Sequence, residues 1–188
     1  MLVDSHCHLD ADEFDADRDA TIARARAVGV MAQIVPAVDA ASWEKLRAVC
    51  AASPGLYPAY GLHPMYLERH RPEHLIALRE WIERERPVAV GECGLDFFVE
   101  DLDPARQREY FDGQLRLARD FELPVIVHAR RAVDDVLAAI RRFAPLRGVV
   151  HSFSGSVDQA KRLFDLGFLI GLGGPVTYDR AQRLRGLA

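Results

Sequence analysis

Apolar residues alternate along the chain between two patterns. Short runs rich in valine, isoleucine and leucine recur at 2–4, 30–35, 56–61, 88–91, 125–128, 148–151 and 168–172. Between them, at 17–28, 42–51, 72–85, 104–121, 133–143 and 157–166, alanine, leucine and arginine repeat with helical spacing. The first pattern predicts strands covered on both faces, and the second predicts amphipathic helices. Gly29 and Gly167 stand where two of these helices must stop. Pro72 and Pro104 suit first-turn positions, where a missing N–H leaves no bond unmade. Strands alternating with helices in this way predict a parallel α/β architecture, either an open doubly wound sheet or a (β/α)8 barrel.

The polar residues at the strand ends decide between the two. Asp4, His6 and His8, then His63, Glu92, His128 and His151, all stand where a predicted strand closes. An open sheet gathers its functional groups at one switch point, whereas a barrel draws them from many strand ends, so a TIM-like barrel is expected. In extended chain alternate side chains share a face, which points His6 and His8 one way and Cys7 the other. Ionisable groups at the ends of apolar strands are costly unless paired, and convergence on a divalent cation removes that cost. The imidazole-rich set suits Zn, Mn, Co, Ni or Fe better than Ca, while a carboxylate bridging two ions also tolerates Mg. Glu92 is the natural bridge, with His6, His8 and Glu92 on one ion and Glu92, His128 and His151 on the other. Two ions about 3.5–4 Å apart can activate a water for in-line displacement, which points to hydrolysis of a phosphoester or of a strained amide or ester.

Other residues carry two readings each. His63, in Gly61-Leu62-His63-Pro64, either donates to a substrate phosphate or orients a loop. Arg130, two residues beyond His128, either clamps a phosphate oxygen or pairs with Asp134 one helical turn on. Asp4 and Asp96 are candidate acceptors that hold ligand imidazoles in one tautomer, with ordinary loop and cap roles as the alternative. His70 and His74 flank Pro72 in a charged stretch and read as a solvated helix start. Residues 95–103 read as an active-site loop whose Phe97 and Phe98 pack over the barrel mouth or, as the second choice, stack a ring.

Composition narrows the class without choosing a function. With 49% apolar and 28% charged residues, the chain is globular rather than disordered. A net charge of −4 gives no global sign of nucleic-acid binding. Only Lys45 and Lys161 stand among the 24 basic residues, and the arginine excess fits either a compositional bias or bidentate phosphate contacts. Cys7, Cys50 and Cys93 are widely spaced and odd in number, which predicts free thiols in a reducing compartment. No secretory signal pattern and no apolar run near the roughly 20 residues of a membrane span is present, so a soluble cytoplasmic protein is expected.

Five motifs now stand together: Val3-Asp4-Ser5-His6-Cys7-His8-Leu9, Gly61-Leu62-His63-Pro64, Gly91-Glu92-Cys93-Gly94-Leu95-Asp96, His128-Ala129-Arg130 and His151-Ser152-Phe153-Ser154-Gly155. In order and spacing this set resembles TatD-family metal-dependent deoxyribonucleases, and it runs through nearly the whole chain. The resemblance implies a TIM-like barrel of the amidohydrolase type and two divalent ions (Mg, Mn or Zn). It further implies DNA as substrate, 3′–5′ exonuclease action and no membrane role, with a monomer as the default. By it, His6, His8, Glu92, His128 and His151 are metal ligands, and Glu92, His63 and Arg130 serve catalysis and substrate contact. The family pattern closes with a Glu-Thr-Asp motif on an eighth strand, whose Asp completes the first metal site. After Gly171-Leu172-Gly173-Gly174-Pro175 the residues run toward a seventh helix, and Asp179 stands at its start. Residues 1–188 are therefore expected to form one hydrolase domain truncated after the seventh strand. Its edges would be unpaired and its first metal weakly held. Two other functions stay open: a small-molecule amidohydrolase or esterase on the same cage, and an inactive fragment.

Overall fold

The computed structural model describes residues 1–187. Seven strands, β1 (Leu2–Asp4), β2 (Val30–Pro36), β3 (Leu56–Tyr60), β4 (Ala89–Asp96), β5 (Val125–Arg130), β6 (Gly148–Val150) and β7 (Phe168–Ile170), form one sheet. Each strand runs parallel to the next, in sequence order from β1 to β7. A doubly wound sheet reverses its order at a switch point. This order never reverses, and the sheet curls one way as in a TIM-like α/β fold. The helices between strands are α1 (Arg18–Ala27), α2 (Trp43–Ala52), α3 (Glu73–Glu85), α4 (Pro104–Asp120), α5 (Val133–Phe143) and α6 (Val157–Asp165), followed by a short α7 (Gln182–Arg185). None of these is long and apolar enough to cross a membrane.

Local chemistry places the helix starts. Asp103 accepts from the amides of Ala105 and Arg106 ahead of Pro104, which opens α4. Ser156 and Gln159 exchange side-chain and backbone bonds at the start of α6. Of the four 3₁₀ turns among the described residues, Asp12–Phe14, Pro64–Arg69 and Gly174–Thr177 occupy stretches that the apolar pattern leaves as plain connections, and Ala40–Ser42 leads into α2. Two of them are nucleated by a side chain accepting a backbone N–H: Asp39 from Ser42, and His63 from Met65.

Strand alternation divides the core. Val35, Tyr60, Val90, Val125, Val127 and Val150 face the helices in the main cluster. Their neighbours Ile34, Ala59, Ala89, Ile126 and Val149 form a second cluster on the other face. Both faces are covered at β4 and through most of β5, as expected, whereas Leu2 and Val3 of β1 and Leu169 of β7, at the sheet's two edges, stay more than half exposed.

The chief departure from the sequence pattern is β4. It was expected to close at residue 91 but runs to Asp96, and every one of its residues is buried. Glycines usually read as strand breakers. Here Gly94 lies opposite His128 in the β4–β5 ladder at a φ of +141°, and a Cβ there would sit 2.0 Å from the His128 carbonyl oxygen. The glycine lets two backbones approach closely beside two functional side chains. Gly94→Ala is therefore expected to cost about 2–4 kcal/mol, from strain and overpacking together. Chemical denaturation would measure it, and a variant as stable as wild type would contradict the close approach.

Candidate metal centre

Glu92 lies in the middle of β4 and is only 1% exposed. A lone ionised carboxylate at that depth is strongly unfavourable, so its surroundings must answer the charge. Its Oε2 lies 2.6 Å from His6 Nε2 and 3.4 Å from His8 Nε2. Its Oε1 lies 2.8 Å from His63 Nε2, 3.1 Å from His128 Nδ1 and 2.6 Å from His151 Nε2. Five imidazoles from four strand ends therefore meet one carboxylate.

The curl of the sheet makes this possible. His6 follows β1 and His151 follows β6, five strands along the sheet. In a flat sheet they would be separated by five spacings, roughly 24 Å. Their rings instead stack with centroids 3.9 Å apart. His6 and His8 lie just past the β1 ladder rather than within it. The Cys7 amide still donates to Ile34 O, so extended alternation persists and both rings face Glu92. His63 and His151 also lie one to three residues beyond their strands, held by bonds from their amides to Val38 O and Val127 O.

Second partners fix which nitrogen carries a proton in three of the rings. His8 Nδ1 lies 3.2 Å from Pro36 O, and His128 Nε2 lies 2.9 Å from Asp96 Oδ2. Both acceptors demand an N–H, which leaves the opposite nitrogen, facing Glu92, with a free lone pair in the neutral ring. His63 is arranged the other way. Its Nδ1 accepts from the Met65 amide, so the neutral ring donates from Nε2 to Glu92. Donor atoms cluster in two triples, His6–His8–Glu92 and His63–Glu92–His128, with His151 Nε2 a further 3.2 Å from His128 Nδ1. Buried His151 Nδ1 has no partner among the described residues. Carboxylate plus correctly oriented imidazoles is the donor chemistry of Zn-, Mn- or Fe-type sites, and the residues fit a divalent ion.

The charges follow from the same contacts. Burial opposes ionisation of Glu92, yet the field of His63 and hydrogen bonds from His128, His151 and His6 hold its carboxyl well below the usual range. Burial pushes His63 and His151 down. It acts likewise on His8 and His128, but the hydrogen bond and charge of Glu92, joined by Asp96 at His128, outweigh it and raise both rings.

Several sequence readings change here. Asp4 accepts from the His6 amide rather than holding a ligand ring. Arg130 does not pair with Asp134, which binds Arg162 and Gln159; its guanidinium lies over the Phe98 ring. His70 is fully buried rather than solvated, and its Nε2 donates to the His63 carbonyl at 2.8 Å. His74 is half-buried, and its Nδ1 accepts from the Arg71 amide at the start of α3. Two residues that the sequence reading passed over stand seven apart on α4. Gln107 bonds both backbone groups of Asp96, and Gln114 both of Leu62. Their one signal is an amide at i and i+7 on a helix face otherwise made of Tyr110, Phe111 and Leu115. Beside His8 and His63 opens a cavity of about 740 Å³, walled by Asp10, Lys45, Tyr66 and Arg69.

The family model described as TatD related DNase matches residues 3–188. The chain is 44% identical to an uncharacterized metal-dependent hydrolase, YjjV, of Escherichia coli K12, across 98% of this chain and 72% of that relative. It is 32% identical to the 3′–5′ ssDNA/RNA exonuclease TatD of a Pantoea species, across 95% of this chain and 70% of the relative. The crystal structure of YjjV superimposes with a TM-score of 0.93 at 42% identity, covering 99% of this chain and 73% of the other. A TatD family hydrolase from Entamoeba histolytica shares the fold at a TM-score of 0.86 and 21% identity, covering 99% of this chain and 68% of that one.

The raised His8 and His128 rings set the pH dependence of metal uptake. Protons on them must leave before their lone pairs can bind, so affinity for Zn or Mn is expected to climb from about pH 6 to about pH 8 with proton release. Calorimetry in two buffers of different ionisation enthalpy would measure both. An affinity independent of pH would remove these rings from the ligand set.

Proposed function

The chain belongs to the TatD related DNase family of metal-dependent hydrolases, and from that premise we propose that it cleaves DNA phosphodiester bonds, releasing nucleotides from the 3′ end. The carrying observation is the single buried carboxylate with imidazole nitrogens turned onto it from separate strands. In this reading His6, His8 and Glu92 hold one divalent ion, and Glu92, His128 and His151 hold a second. When bound, such ions supply an activated water and neutralise charge on the phosphoryl oxygens.

The side chains around them have separable tasks. Asp96 and the Pro36 carbonyl lock His128 and His8 in the binding tautomer. His63, tied to Glu92 by its own N–H, steadies the carboxylate at the edge of the cavity. Arg130, exposed at the end of β5, offers a planar guanidinium to a phosphate oxygen. The exonuclease name of the Pantoea relative supports the choice of nucleic acid as substrate.

The test is a 5′-labelled oligonucleotide incubated with the protein and Mg, Mn or Zn. Stepwise release of mononucleotides is expected. Glu92→Gln should remove both activity and metal binding, and Asp96→Asn should lower metal affinity or rate by about 10–100-fold. Hydrolysis of uncharged esters or amides at any salt concentration, with oligonucleotides left intact, would move the reading to small-molecule hydrolysis. Full activity in Glu92→Gln would reject the bridging role.

A further inference from the structure

We propose that Phe98, Arg130 and Arg131 form a stacking platform that seats one nucleobase of a single strand beside the metal centre, with flanking phosphates on the two guanidiniums. The choice of occupant rests on the nuclease reading above. The two phenylalanines after β4 part company: Phe97 packs against the core, whereas Phe98 is 42% exposed. The Phe98 amide is bound at 2.9 Å by Asp96, the same carboxylate that holds His128, so the ring is tethered to the centre. The Arg130 guanidinium lies 3.6 Å from the ring centroid and that of Arg131 lies 4.6 Å away. Consecutive residues leaving a strand should face opposite ways. Arg131 adopts a φ of +54°, which breaks the alternation, and both guanidiniums reach one ring.

Charge selects the occupant. Among the described residues neither guanidinium has a carboxylate partner, while nearby Asp134 and Asp135 are taken by Arg162 and Arg108. Across the centre the cavity cations are already answered, Lys45 by Asp12 and Asp15, and Arg69 by Asp39. Free positive charge beside an exposed aromatic therefore marks the β4–β5 side of the rim. One ring for a base and cations for its phosphates is how single strands are held, since every base offers a π-face. A duplex keeps its bases stacked inside and cannot use the ring.

The experiment is fluorescence anisotropy, without added divalent ion, on an oligo(dA) strand and an abasic strand with the same number of phosphates. Wild type is expected to bind the base-bearing strand about tenfold tighter, the effect of one stacked base. Phe98→Ala and Phe98→Leu should bring the ratio near one, while Phe98→Tyr keeps it. Arg131→Gln should lower the slope of log affinity against log salt by roughly 0.7, one single-strand phosphate contact. A ratio that survives loss of the ring, or a slope unmoved by Arg131→Gln, overturns the platform. Base-selective binding by a protein that hydrolyses no phosphodiester with any of the three metals supports the platform and withdraws the nuclease reading. Hydrolysis with equal binding of the two strands overturns the platform alone.

Discussion

Burying the charge of Glu92 is the constraint on which the rest of this structure depends. Removing an ionised carboxylate from water costs several kcal/mol unless other groups compensate. At 1% exposure Glu92 can be compensated only by protein groups or a bound cation. No single strand can supply them, because a strand offers one face and few positions near any point. The fold meets the requirement by curling a sequence-ordered sheet until the ends of β1, β3, β5 and β6 surround the middle of β4. The stacked rings of His6 and His151 are the clearest consequence, since nothing but curvature brings the first and sixth strands together.

Around this centre lies a layer whose role is placement. Helix α4 spans 17 residues, and two glutamines two turns apart on it bind the backbones of Leu62 and Asp96. Each amide satisfies both an N–H and a C=O where β3 and β4 end, groups that would otherwise be buried without partners. The helix thereby sets the distance between the segment carrying His63 and the carboxylate holding His128. His70 adds a third clamp from the far side of the 3₁₀ turn, through the His63 carbonyl. A cage this dependent on tautomers needs such support, because a ring rotated by one bond presents an N–H where a lone pair is required.

What the sequence disclosed and what it hid divide along a physical line. His6, His8, Glu92, His128 and His151 were legible because ionisable residues at the ends of apolar strands are chemically out of place, and strand ends are where a barrel keeps its functional groups. Helix boundaries were legible where a breaker and the apolar period agree, as at Pro104, which opens α4, and at Gly167, which follows α6 at a φ of +80°. The missed features all depend on partners that leave no local trace. His70 and the two glutamines bind backbone atoms, which look alike at every position. The extension of β4 through Gly94 depends on how closely β5 passes, a property of the pair rather than of either strand. Phe98 and Arg130 are distant in sequence, and the left-handed turn at Arg131 that joins them has no glycine or asparagine to announce it.

The cage and its rim carry different kinds of information. Imidazoles gathered on one carboxylate are the donor chemistry of a divalent-ion site, in keeping with a family of metal-dependent hydrolases, and they are carried on or next to strands, where loop changes disturb them least. That same rigidity makes them uninformative about substrate, because a polarised water will attack a phosphoester, an ester or an amide alike. Selectivity has to come from groups that remain unanswered once the cage is complete. On one side of the centre the cations are neutralised by their own aspartates, and the walls of the cavity add Asp10, a carboxyl raised by its burial. On the other side two guanidiniums face an aromatic ring and, among the described residues, form no ion pair with a carboxylate. On the nuclease reading proposed above, a net charge of −4 repels a polyanion at long range, and this local reversal of sign favours its approach from the β4–β5 side. On that reading the approach of a polyanion would be set by which acidic residues are already paired with their own cations, and the candidate metal ligands would take no part in that choice.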